Sequence, residues 1–166
     1  GVYTNSLTKT FTIRPETMAS AVITGCKAKY SYTGKQVKPL IQVVWNGKIL
    51  RNNTDYTLLY KNNKKRGSAG IVVTGKGNYS STLTASFTIV RASVKKASVT
   101  GLKAVYARTG KAVKPKVTVK LGGKKLKKKR DYILSYRKNK KKGTALLYVK
   151  GVGNYSGTKK MKFKIR

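Results

Sequence analysis

The carboxylates, thiols and imidazoles from which most acid–base, nucleophilic and metal sites are built reduce in this chain to Glu16, Asp55, Asp131 and Cys26, because it contains no histidine and no other acid or cysteine. General acid–base catalysis needs paired carboxylates or an imidazole, and a nucleophile needs a neighbouring base. The three acids lie far apart in sequence, so neither a carboxylate pair nor a Ser-His-Asp or Cys-His set can be assembled. A lone cysteine supplies too few ligands for a transition metal, and no carboxylate cluster suits calcium. The sequence is therefore expected to be non-catalytic and to hold no cofactor. Asp55 and Asp131 each precede a tyrosine. An isolated carboxylate of this kind promotes isopeptide crosslinks in some surface proteins, with Asn78 or Asn154 as partner. The preferred reading is simpler: an Asp that accepts backbone N–H bonds where a strand begins. GKGNYS (75–80) and GVGNYS (151–156) have the glycine spacing of phosphate loops, but no helical pattern follows, so they read as turns.

What remains is charge. Of 166 residues, 39 are Lys or Arg and 3 are Asp or Glu, a net charge of +36, with lysine outnumbering arginine 31 to 8. The excess is uneven, at +1 over residues 1–17, +10 over 18–90 and +25 over 91–166. Ammonium groups are strongly hydrated point charges, whereas bidentate reading of phosphate or guanine favours Arg. The bias points to diffuse attraction toward a flexible polyanion, with nucleic acid bound only non-specifically. No apolar run approaches the ~18–20 residues of a membrane-spanning helix, and the N-terminus lacks the plan of a signal peptide. A soluble chain without membrane insertion is expected, any export signal having been removed or lying upstream.

The elements that must position these lysines come from a duplication. Residues 18–90 align with 94–166 at a constant offset of 76 without a gap, and 34 of the 73 pairs are identical. Tyr3, Phe11 and Ile13 fall 76 residues before Tyr79, Phe87 and Ile89, so residues 1–17 read as the last strand of a preceding copy plus a linker, and the chain as a slice of a longer array. Each copy consists of short alternating apolar and polar segments bounded by Gly, Asn and Pro, which is strand patterning. Ile41, Val43 and Trp45 match Val117, Val119 and Leu121 as inward positions; Tyr56, Leu58 and Tyr60 match Tyr132, Leu134 and Tyr136. By the same logic Trp45 is core rather than a sugar platform, and Cys26, opposite Leu102, is a small buried hydrophobe. Asn46-Gly47 and Gly122-Gly123 are hairpin signals. Six or seven strands per copy predict an all-β fold, two tandem antiparallel β-sandwich repeats of immunoglobulin-like type, with a β-grasp arrangement as the alternative.

The plan Y-x-G-K-x-V-K-P, N-G-K-x-L, D-Y-x-x-x-Y-x-x-N and G-x-G-N-Y-S-G-T with F-x-I, spread over residues 18–166, resembles the tandem immunoglobulin-like repeats of large secreted or wall-attached proteins of anaerobic Firmicutes. The resemblance implies an extracellular, cell-surface or cell-wall location. It leaves function open, since such repeats serve as stalks, spacers, adhesins and glycan-binding modules. Two departures, Ser81 against Gly157 and Gly122 where N-G-K has Asn, lie at turns.

Both copies must satisfy one interior, so their differences mark the surface. Leu40 and Val44 become Lys116 and Lys120, and Thr84, Ser86 and Thr88 become Lys160, Lys162 and Lys164. The segments around the strand DYILSY are richer still: Lys124, Lys125, Lys127, Lys128, Lys129 and Arg130 precede it, and Arg137, Lys138, Lys140, Lys141 and Lys142 follow. Six residues of strand span about 20 Å, beyond the Debye length of about 8 Å, so a chain-like polyanion would meet two nearly independent clusters. The expected function is attachment to an anionic polysaccharide or wall polymer: teichoic acid, an acidic or sulfated glycan, or mucin. The alternatives are a structural spacer and a neutral-carbohydrate module using Tyr32, Tyr79, Tyr148 and Tyr155. Residues 1–13 are a candidate for strand addition to a sheet edge.

Overall fold

The computed structural model describes residues 7–166. Their regular structure is strand, apart from one three-residue 3-10 turn, Val94–Lys96, with no α-helix. The first copy comprises β1 (Glu16–Thr17), β2 (Val22–Thr24), β3 (Lys29–Ser31), β4 (Gln42–Trp45), β5 (Lys48–Ile49), β6 (Tyr56–Lys61), β7 (Gly67–Gly75), β8 (Tyr79–Ser80) and β9 (Thr82–Val90). The second comprises β10 (Ala92–Ser93), β11 (Ser98–Thr100), β12 (Val105–Tyr106), β13 (Thr118–Leu121), β14 (Lys124–Lys125), β15 (Tyr132–Arg137), β16 (Gly143–Gly151), β17 (Tyr155–Ser156) and β18 (Thr158–Ile165). Every strand of the first copy thus recurs in the second at the offset of 76. A β-grasp arrangement needs a helix, and the described residues contain none.

In the second copy β11-β13-β14 form one sheet, β12-β18-β16-β15 another, and β10 pairs with β17; the first copy has the same three orders. None closes into a barrel. The hairpins are antiparallel, but β10–β17 and β12–β18 pair in parallel, as do β1–β8 and β3–β9. This corrects the expectation of purely antiparallel pairing. The parallel partners come from opposite ends of a copy, joined through the intervening strands as parallel neighbours must be, and none of these pairings exceeds three residues.

Burial follows the expected phase. Met18, Val43, Leu50, Tyr56, Ala69, Ile71, Val73, Tyr79, Phe87 and Ile89 are buried, and so is each residue 76 positions later, from Val94 to Ile165. In the second copy one core draws Val119 from the three-stranded sheet and Leu147, Val149, Phe163 and Ile165 from the four-stranded one, with Tyr132 and Tyr155. Burial of apolar surface at about 25 cal/mol per Å² is the main stabilising term. Ile41, Trp45, Val117, Leu121 and Cys26 are half-buried rather than sealed. At the hairpin tips Asn46 and Gly47 have φ of 46° and 76°, and Gly122 and Gly123 have 54° and 76°. Both central residues are left-handed, as a type I′ turn requires. Asn and Gly tolerate that conformation best, which is why they interchange there.

Proximity in space divides the chain into two compact units that do not follow the 18–90 and 91–166 boundaries. One holds the described residues up to Cys26 with Pro39–Lys61 and Gly70–Ser86; the other holds Lys27–Lys38, Asn62–Ala69 and Phe87–Arg166. In the second unit Tyr32 packs edge-on against Tyr155 at 5.7 Å between centroids, and Lys124 Nζ sits 5.9 Å from the Tyr32 ring centre. These contacts help tie the 27–38 segment to the second copy.

The expected N-terminal strand is not seen where it can be judged. Tyr3 and the rest of residues 1–6 lie outside the described residues. From Leu7 to Pro15 there is no strand, and Phe11 and Ile13 are 82% and 79% exposed. Their counterparts Phe87 and Ile89 belong to β9, which lies between β3 and β7; residues 7–15 have no such flanking strands. Pairing with the first copy starts at Glu16, which faces Tyr79.

Candidate functional site

Each of the two loop clusters is built on one polar anchor shared by both copies. In the first cluster the carboxylate of Asp131 accepts the Lys127 backbone N–H at 2.8 Å, while the Asp131 N–H returns to Lys127 O at 2.8 Å. Asp55 accepts from Arg51 N–H at 2.7 Å in the same way. This is the turn role expected of these acids. Asp131 adds a forked contact from Arg130, Nε to Oδ1 and the terminal nitrogen to Oδ2, both 3.0 Å. That hydrogen bond from Arg130 holds the Asp131 carboxyl below its ordinary range against the opposing effect of burial, with the Lys127 N–H and the charges of Arg130 and Lys124 adding to it. Arg130, expected to face a ligand, is thus engaged by its neighbour, although its side chain remains 60% exposed.

The second cluster hangs on Asn139. Its side-chain amide donates to Val113 O at 2.9 Å, and Val113 N–H donates to Asn139 O at 2.7 Å. Nearby, the Tyr136 hydroxyl donates to Pro115 O at 2.7 Å. Lys138, Lys140, Lys141 and Lys142 project from this anchored turn and are exposed. Strand β15 separates the two clusters, as expected.

The sheet lysines are divided. Lys160, Lys162 and Lys164 lie on β18, facing Tyr148, Leu146 and Thr144 across the ladder. Lys120 lies on the other sheet, facing Lys125, and Lys116 precedes β13. The lysine coat therefore covers two sheets and does not form one face. Arg137 belongs with the four-stranded sheet, its guanidinium 5.7 Å from the Tyr148 ring centre. Lys150, which faces Ile133 on the same sheet, was overlooked, although its replacement of an outward Thr74 signalled it. Lys159 is no ligand group: half-buried, it donates to Ala97 O at 2.7 Å.

Four of these lysines occupy locally unfavourable positions. Lys129 and Lys138 have φ of 70° and 54°; their counterparts Asn53 and Asn62 have 68° and 55°. The backbone is the same, but Asn is several-fold enriched in left-handed conformation and Lys is not. In the first copy Val44 faces Ile49, where the second sets Lys120 opposite Lys125. Like charges directly opposite each other destabilise a sheet.

The rings proposed for neutral sugars are not displayed in a row. Tyr79 and Tyr155 are 8% and 3% exposed, Tyr32 leans on Tyr155, and Tyr148 has Arg137 beside it. Among the described residues no helix is long and apolar enough to cross a membrane. In comparisons with known proteins the chain matches no family model, no curated protein and no solved structure.

Proposed function

We propose that the chain is a pair of tandem immunoglobulin-like β-sandwich repeats from an extracellular surface or wall protein, the second of which is a non-catalytic module that attaches to anionic polymers. The observation that carries this reading is lysine placed where it harms the fold. In the left-handed region Asn is several-fold more frequent than Lys, a difference of about 0.5–1 kcal/mol, and a facing like-charge pair costs roughly 0.2–1 kcal/mol. Lys129, Lys138 and the Lys120–Lys125 pair bear these penalties at positions where the first copy has Asn or apolar side chains. A surface needing only solubility would place its lysines elsewhere.

Lysine-mediated attachment releases counterions, so affinity falls as salt rises. The test is elution of the 166-residue chain from immobilised heparin and from teichoic-acid-bearing walls against a salt gradient. Retention is expected to collapse with salt and to weaken when Lys128, Lys129, Lys138 and Lys140 become Gln. Binding that survives molar salt, or ignores these changes, overturns the reading.

A spacer role suits the first copy, where the cationic clusters are thinner.

A further inference from the structure

The second copy has a cleft of about 840 Å³ between the segment Lys114–Thr118, the segment Lys125–Lys128 and strand β15. Its volume lies in the range of pockets that enclose small ligands, roughly 300–1,000 Å³. The floor is apolar and shaped by the core: Val117, Leu126, Tyr132, Leu134 and Tyr136. The rim is cationic, formed by Lys114, Lys116, Lys125, Lys127 and Lys128. No carboxylate lines it; the nearest in sequence, Asp131, is occupied by Lys127 N–H and Arg130. The rim is also braced, since the Asp131 contact fixes Lys127 and the Tyr136 hydroxyl fixes Pro115.

The first copy supplies the control. Its floor is nearly the same, with Ile41, Leu50, Tyr56, Leu58 and Tyr60 at the corresponding positions. Its rim would carry Lys38, Leu40, Ile49, Arg51 and Asn52, two cations instead of five. The floor positions have thus nearly been kept while the lysine positions of the border rise from two cations to five.

We propose that this cleft seats a short stretch of acidic polysaccharide, the apolar faces of the sugar rings lying on the floor and their carboxylates or sulfates meeting the rim lysines. The assignment rests on the anionic-polymer reading above and adds a specific seat to it. An acidic peptide would add to the open edge of β15 through main-chain bonds. The first residue of that edge is already engaged, because Tyr132 O accepts Lys129 N–H at 2.7 Å. A polysaccharide needs no such ladder.

The test uses the isotopically labelled 166-residue chain titrated with tetragalacturonate at about 0.15 M salt, where exposed charges beyond about 8 Å are screened. The expected result is selective shifts at Val117, Leu134 and Tyr136, none of them with the methyl-esterified tetramer. Lys116→Leu with Lys125→Ile, the first copy's side chains, is expected to weaken the tetramer about tenfold, the scale of a lost charge-assisted contact. Lys64→Gln with Lys65→Gln removes the same charge from the first copy and is expected to change it less than about twofold. Equal losses in both variants, shifts spread over all surface lysines, or tighter binding of polyglutamate would overturn the proposal. If long polymers are retained while the tetramer does not bind, the cleft assignment alone fails; if polymers are not retained either, the broader reading fails with it.

Discussion

The two copies carry the same interior and different exteriors. Phe87 and Phe163 are 3% and 2% exposed, Val43 and Val119 both 0%, and the strands that hold them keep their order. Yet Asn52, Asn53 and Asn62 of the first copy are Lys128, Lys129 and Lys138 in the second. The fold tolerates this because its anchors lie beneath the lysines: Asp131 and Asn139 make the backbone contacts that Asp55 and Asn63 make. Shape is set by the buried and turn-anchoring residues, and charge is free to vary above them.

The strongest way to break this comparison is to empty both cores at the same place. Phe87→Ala and Phe163→Ala are each expected to cost about 3–5 kcal/mol. Denaturant unfolding of each variant should show similar losses; a large disparity would mean that the interiors are not equivalent.

Removing an anchor is the next test. Asp131→Ala is expected to lower stability by about 1–3 kcal/mol, because Lys127 N–H loses its acceptor. The same contact depends on pH. A carboxyl held below its unfolded value of about 3.9 stabilises fully above that value and loses the contribution as pH falls through its depressed folded value. Thermal melts of wild type should therefore show this contribution disappearing below about pH 4, and Asp131→Ala should lack that part of the pH dependence.

Reverting strained lysines should act in the opposite direction. Lys129→Asn and Lys138→Asn are each expected to raise stability by about 0.5–1 kcal/mol while reducing retention on heparin. Gaining stability and losing binding together would sharpen the contrast between the copies; losing stability would remove its main support.

The smallest effect is expected at Ser81, whose φ of 84° matches the 77° of Gly157. Ser81→Gly should stabilise by about 0.5 kcal/mol, relief of the left-handed backbone being partly offset by loss of backbone stiffness in the unfolded chain and by loss of the 2.7 Å contact with the Thr17 hydroxyl. Calorimetry of the two forms reads it.

Much of this architecture was legible because burial in a strand has period two and the duplication shows which phase is inward. That reasoning found Val43 and Tyr56 with their partners Val119 and Tyr132, the two hairpin turns, and the turn role of Asp55 and Asp131. It did not find the parallel pairs, since alternation says which side of a strand is buried and not which strand lies beside it. For the same reason alternation does not show that Lys120 and Lys160 lie on different sheets. The burial of Tyr79 and Tyr155 was not legible, because their strands are only two residues long, too short for alternation to reveal a phase. The cleft was hidden because its walls come from three separated segments. Lys114 has a lysine, Lys38, at the same position of the first copy, so the differences between copies do not mark it.

The placement of β18 between β12 and β16 has a mechanical consequence. The last strand of the copy is bonded on both flanks, in parallel to β12 and antiparallel to β16. Tension applied at Arg166 along the strand would load the eight-residue ladder to β16 and the two-residue pairing to β12 together in shear, instead of peeling them one by one. Such a domain would bear force to a sharp threshold and then give way abruptly, like a clasp rather than a zip.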